Sequence, residues 1–194
     1  MSRWIYNTAT SFDGYIADAV NSLDWLFAVE HDGAEDTSIF LAGTGVLVEG
    51  STTYEWVLRA EDLLGQPHKW QEFYGDRPTF VFTTRELPIP AGADVRFVRG
   101  AVVDAVPAIR AAAGDRDVWV VGGGDLAGQF LDADLLDEIS LSVAPAALGK
   151  GAPVFPRRID ARRLRLSNVE RYGQFAKLTY RVLRRVEAVS AEGG

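Results

Sequence analysis

The sequence contains no cysteine. That absence excludes disulfides, thiolate nucleophiles and cysteine-based zinc sites, and it suits a reducing cytoplasm. There are only two histidines, His31 and His68, and neither has a companion at metal-ligand spacing, so no metal site is expected. No apolar run approaches the roughly 20 residues that cross a bilayer. Met1-Ser2-Arg3-Trp4 leads directly into an apolar strand, without the charged leader and apolar core of a secretory signal. A cytoplasmic protein with no membrane partner is therefore expected. Basic blocks are missing too. With 20 Lys and Arg against 27 Asp and Glu, the net charge is -7, and the Arg157-Arg158 and Arg162-Arg163 pairs are local. Such a chain is a poor partner for nucleic acid. Neither a Walker-type G-x-x-x-x-G-K-[ST] loop nor a G-x-S-x-G nucleophile elbow occurs, which removes both chemistries as readings.

What remains is a chain of 194 residues, 47% of them hydrophobic, enough for one domain with a sizeable core. We expect a single domain over 1–186 and a flexible small-residue tail over 187–194. The most informative segment is Val118-Trp119-Val120-Val121-Gly122-Gly123-Gly124-Asp125-Leu126-Ala127. A β-prone run breaks into three glycines and resumes with helical spacing, so it reads as strand, tight turn and helix. Glycines without Cβ atoms let backbone N–H groups approach an anion. The helix start adds unpaired donors and the positive end of its dipole. A pyrophosphate fits that site, although a turn needing positive φ angles would also account for glycine.

The periodicity predicts strands over Trp4–Ser11, Gly45–Val48, Thr79–Thr84, Asp94–Val98, Val118–Gly122 and Asp137–Val143. Leu164–Tyr172 and Phe175–Leu183 read as a hairpin turned at Gly173. Helices are expected around Trp25–Phe27, over Thr37–Ala42, after Gly50, over Val102–Ala113 and from Asp125 to Ala133. The stretch Ala60–Arg77 reads as a polar loop with one helical turn near Trp70–Tyr74. Strands alternating with helices, then a hairpin, give an α/β fold whose central sheet is mainly parallel with an antiparallel edge. Ligands then sit beyond the carboxyl ends of the strands, where the loops at Ser11, Gly50, Thr84 and Gly122 share a rim. A Rossmann domain is disfavoured. The strand after the triplet ends in Val143-Ala144-Pro145 and offers no ribose-binding carboxylate.

Four segments in order resemble the dihydrofolate reductase-like superfamily, and within it the C-terminal reductase domains of riboflavin biosynthesis. Ser11-Phe12-Asp13-Gly14-Tyr15-Ile16-Ala17 is similar to the S-x-D-G-x-I-A opening, and Gly50-Ser51-Thr52-Thr53-Tyr54-Glu55 to the G-R-x-T-Y-E element. Phe82-Thr83-Thr84-Arg85 resembles the strand end that meets the adenosine side of the cofactor. Val121 to Gly124 with Gln129-Phe130-Leu131 resembles the G-G-G-x-x-x-x-Q-F-L signature. The resemblance runs from about residue 3 to about residue 185. It implies a three-layer fold, a mostly parallel central sheet with helices on both faces and a C-terminal antiparallel hairpin, and an NADPH-dependent reductase that works as a homodimer.

By that resemblance, Ala9 and Ile16 would meet the nicotinamide carboxamide. Gly50, Ser51, Thr52 and Thr53 would receive phosphate, and Gly122, Gly123, Gly124, Asp125, Leu126 and Ala127 would pass under the pyrophosphate and nicotinamide. A cis Gly122–Gly123 bond is implied as well. Thr84 and Arg85 would hold the ribose 2′-phosphate, so NADPH is expected over NADH. NADH stays open because Ser51 replaces an arginine and cannot supply its charge. Asp24 is the candidate catalytic acid, in the alternative an N-cap of the first helix. Asp13 and Trp25 are candidate substrate contacts, Asp13 otherwise a turn residue. Hydride transfer needs no protein nucleophile. The expected substrate is a planar heterocycle of pterin or ribosylaminopyrimidine type, and the competing expectation is a dinucleotide-binding protein without turnover.

Overall fold

A computed structural model describes residues 2–30 and 37–185, so His31 and the tail expected from 187 onward lie outside the described residues. Eight strands form one sheet. Six are parallel: Val95–Val98 (β5), Thr79–Phe82 (β4), Thr44–Gly50 (β3), Asp117–Gly122 (β6), Trp4–Ser11 (β1) and Glu138–Ala144 (β7), in that spatial order. Phe175–Val182 (β10) and Leu164–Tyr172 (β9) continue it antiparallel. The mainly parallel sheet with an antiparallel hairpin edge is thus as the sequence predicts.

Alternation along the strands separates two cores. On one face Trp4, Tyr6, Val46, Val48, Phe80, Val118 and Val120 pack against Val102–Ala113 (α5) and Gly124–Asp132 (α6). On the other, Val81 packs with Tyr54 and Leu58 of Ser51–Ala60 (α3), with Leu63, and with Trp70 of His68–Tyr74 (α4). The region Ala60–Arg77 therefore bears out the helical turn expected near Trp70–Tyr74, which is α4, and corrects the rest of the loop expectation. Its polar composition hides two apolar anchors, Leu63 and Trp70, which are fully buried and fold the segment onto the sheet. Two shorter helices, Asp24–Phe27 (α1) and Ser38–Gly43 (α2), precede β3. The predicted turn after β1 also carries a short strand, Tyr15–Ala17 (β2), paired antiparallel with Ala152–Pro153 (β8).

Register sets the site. Gly50 pairs with Phe82, and Glu49 with Gly122, so the carboxyl ends of β3, β4 and β6 finish side by side. Helices α3 and α6 both leave from that edge.

Candidate functional site

Those helix starts face one cleft of about 510 Å³. Its walls include Gly50, Ser51, Thr52 and Thr53 from the start of α3. Gly122, Gly123, Gly124, Asp125 and Leu126 come from the β6–α6 junction, and Ile16 from β2. Neither helix has a side-chain cap: Gly50 and Gly123 occupy the N-cap positions in extended conformation and carry no side chain to donate to. The free amides of two first turns therefore border one cavity, which is the arrangement that binds a doubly charged bridge.

The glycines are there for proximity, not for backbone sign. None of Gly122, Gly123 or Gly124 has a positive φ, which removes the turn explanation. A Cβ on Gly122 would sit 3.0 Å from Thr53 Oγ1, and one on Gly124 would collide with the carbonyl oxygens of Pro153 and Val154. At Gly123 the nearest atom would be Ile16 Cδ1 at 3.8 Å, so its backbone lies open. The Gly122–Gly123 peptide is cis, as the resemblance implies.

The far wall is tied down by polar contacts. Tyr6 donates from its hydroxyl to the Val154 carbonyl at 2.8 Å, and Val154 N–H donates to the Gly14 carbonyl at 2.8 Å. Burial pushes the Tyr6 phenol well above its ordinary range. Asp125 opens α6, where its charge would oppose an anionic guest. Its carboxylate instead accepts from Gln129 at 2.9 Å and pairs with Arg157 at 2.9 Å, and these partners hold its pKa below the usual carboxylate range. Arg157 also pairs with Asp132 at 2.9 Å, which fastens it along α6.

Several sequence-predicted residues stand elsewhere. Ala127 is fully buried in the core beneath the cleft. Ala9 pairs with Ser142 inside the sheet, and its neighbour Thr8 reaches the cleft instead. Thr84 and Arg85 are exposed outside the lining, and Arg85 donates to both carboxylate oxygens of Glu55, one at 3.0 Å. Asp24 is the expected catalytic acid, in the alternative an N-cap. It is exposed, does not line the cleft and caps nothing: Leu23 precedes the helix, and the Asp24 N–H donates to Ser22 Oγ at 3.0 Å.

Asp13, expected as a substrate contact or a turn residue, fastens the loop after β1. Ser11 Oγ donates to it at 2.6 Å and Gly149 N–H at 2.7 Å, while Leu148 N–H adds a third donor. The Ser11 hydroxyl first, then the Gly149 amide, lowers its pKa. Trp25 is half-buried, lies off the lining and has an indole N–H without a hydrogen-bond partner among the described residues.

Sequence reasoning quoted Phe82 and Gln129 within motifs without giving either a place in the site, and it missed the Ala152–Pro153 wall. Gln129 had a signal in its place one helical turn past the glycines. Ala152 and Pro153 had none, because only tertiary pairing with β2 brings them there. It also missed Glu49, fully buried on β3, whose pKa burial raises to about 8.

A mostly parallel sheet closed by an antiparallel hairpin, with cleft-facing helix starts at the strand ends, defines a dihydrofolate reductase-like fold. Residues 3–178 match the RibD C-terminal domain, and the chain belongs to that family. It is 28% identical over 172 residues to YwjB of Bacillus subtilis, covering 89% of this chain and 93% of YwjB. A solved Shewanella sp. PV-4 structure ascribed to riboflavin biosynthesis superposes with a TM-score of 0.74 at 28% identity, over 95% of this chain and all of that one. A Thermotoga maritima diaminohydroxyphosphoribosylaminopyrimidine deaminase/5-amino-6-(5-phosphoribosylamino)uracil reductase shares the fold, with a TM-score of 0.62 at 19% identity. That match spans 93% of this chain and 56% of the Thermotoga chain.

Proposed function

We propose that the chain is an NADPH-dependent reductase that delivers hydride to a planar heterocyclic small molecule, with NADH as a usable second donor. One observation carries this reading: the uncapped starts of α3 and α6 border one cleft, with bare glycine backbone between them. In it, the amides of Gly123 to Leu126 and of Ser51 to Thr53 receive the diphosphate, and the Thr53 hydroxyl adds a donor. Ile16 lines the same cleft beside the open backbone of Gly123. When bound, the dinucleotide supplies the hydride and leaves oxidised, and a proton from water completes the addition.

Membership of the RibD C-terminal family supports a reductase-type domain. The test is loss of the reduced-nicotinamide absorbance with purified protein and a panel of pterins and aminopyrimidines. Oxidation of NADPH dependent on one panel member is expected, and saturable binding without oxidation across the panel would favour a sensor without turnover. The exposed position of Asp24, away from the cleft, is the observation that favours that second reading.

We further propose a cytoplasmic homodimer that uses neither nucleic acid nor membrane as a partner. Edge strand β9 exposes Leu166 and Val169 beside unpaired backbone, which supports pairing between copies. Sedimentation equilibrium should give twice the chain mass, reduced to one chain mass by Val169→Lys.

A further inference from the structure

Beside the first cleft lies a second of about 260 Å³, and Trp56 borders both. The second is walled largely by ring-bearing residues, Trp56, Trp119, Phe40, Phe73 and Tyr74, with Glu61. Two of those rings are fixed. Trp119 donates from its indole N–H to the Asn7 carbonyl at 3.0 Å, and Phe40 packs edge-on to it with centroids 5.3 Å apart. Phe27 stacks on Trp56 at 6.1 Å with planes 13° apart, which holds the shared wall. A space of this size and lining suits one planar ring system.

The charges around it are informative. All 20 Lys and Arg residues fall within the described residues, and none lines either cleft. Those that come near are committed elsewhere. Arg77 runs behind the second cleft, where its nitrogens donate to the carbonyls of Leu41, Thr44 and Tyr74 at 2.6, 3.0 and 2.8 Å. Lys69 donates to the Glu61 carbonyl at 3.3 Å, and Arg85 is paired with Glu55. One acidic residue stands on the other side of the balance, Glu61 on the wall, while buried Glu49 is held neutral up to about pH 8. A phosphate enclosed here would lose its hydration and meet no cation.

We propose that the second cleft takes the ring of a phosphate-free planar substrate, neutral or cationic, stacked against Trp119 and Trp56. The substrate class therefore differs from the phosphoribosylated uracil in the name of the Thermotoga reductase. The proposal rests on the reductase reading only in assigning this ring as the hydride acceptor; the ring preference is measurable without cofactor.

Matched probes test it: uridine against uridine 5′-monophosphate, and riboflavin against flavin mononucleotide. Binding is read by calorimetry and by quenching of tryptophan fluorescence, with NADPH binding measured separately on the same samples. The phosphate-free member of a pair should bind at least about tenfold more tightly. Trp119→Leu should lose about tenfold for that probe while NADPH binding stays within about twofold. Glu61→Lys, at the half-buried residue that follows α3, should narrow or invert the preference, and it serves even if Trp119→Leu fails to fold. Equal or tighter binding of the phosphorylated members would overturn the proposal, as would no binding of either member of both pairs. Loss of NADPH binding alone would count against the reductase reading and leave the ring preference standing.

Discussion

Glu49 lies between Val48 and Gly50 on β3, 3% exposed, and its carboxyl is held up near 8 because burial disfavours the charged form. The unfolded chain releases that proton near 4.5, so between about pH 4.5 and 8 the folded state binds a proton the unfolded state does not. Its contribution to stability is whole below that window and is lost as pH rises through 8. At ~1.4 kcal/mol per pH unit the loss amounts to roughly 3–5 kcal/mol. Chemical denaturation of wild type and Glu49→Gln from pH 5 to 9 should show the variant gaining on the wild type steadily with pH. Parallel pH profiles would contradict this. Arg85 poses a second question at this scale. Its guanidinium is engaged by Glu55 while standing as the one cation proposed for a 2′-phosphate. Glu55→Gln should release it and raise the NADPH-to-NADH affinity ratio about three- to fivefold at low salt, an effect that shrinks at high salt. An unchanged ratio would remove Arg85 from cofactor choice.

At the scale of elements, the contact that shapes the cleft is β8 and the following Val154 against the start of α6. An alanine at Gly124 would press on the carbonyls of Pro153 and Val154, and backbone cannot swing aside as a long side chain can. Gly124→Ala should cost about 1–3 kcal/mol in a thermal or denaturant melt, and a stability loss under about 0.5 kcal/mol would contradict the packing. Sequence periodicity marked nearly every strand of the large sheet and both glycine-led helix starts, because runs such as Val118 to Val121 leave little choice of conformation. It did not show β2 with β8, and it gave only one turn of α4. Those elements are short, and what makes them is contact: Tyr15 opposite Pro153, and Trp70 beneath Tyr54. The site divides the same way. Gly50 to Thr53 and Gly122 to Leu126 were legible because backbone chemistry follows from glycine and helix position. The surroundings of Asp24 were not legible, because a carboxylate near a helix start reads alike whether it faces a cleft or water, and only the exposed packing of α1 shows which.

For the whole molecule, the sheet brings two amide-rich helix starts to one edge, and the aromatic chamber adjoins them through Trp56. Because Trp56 lines both spaces, a dinucleotide held in the first cleft and a ring held in the second would share that wall. The central claim is that the backbone amides of residues 50–53 and 122–126 grip the diphosphate. Amide-resolved NMR of the intact chain titrated with NADPH tests it most directly. The account predicts saturable shifts centred on those two segments, far larger than at the β9–β10 hairpin. Shifts centred elsewhere, or none at millimolar NADPH in a folded sample, would contradict it.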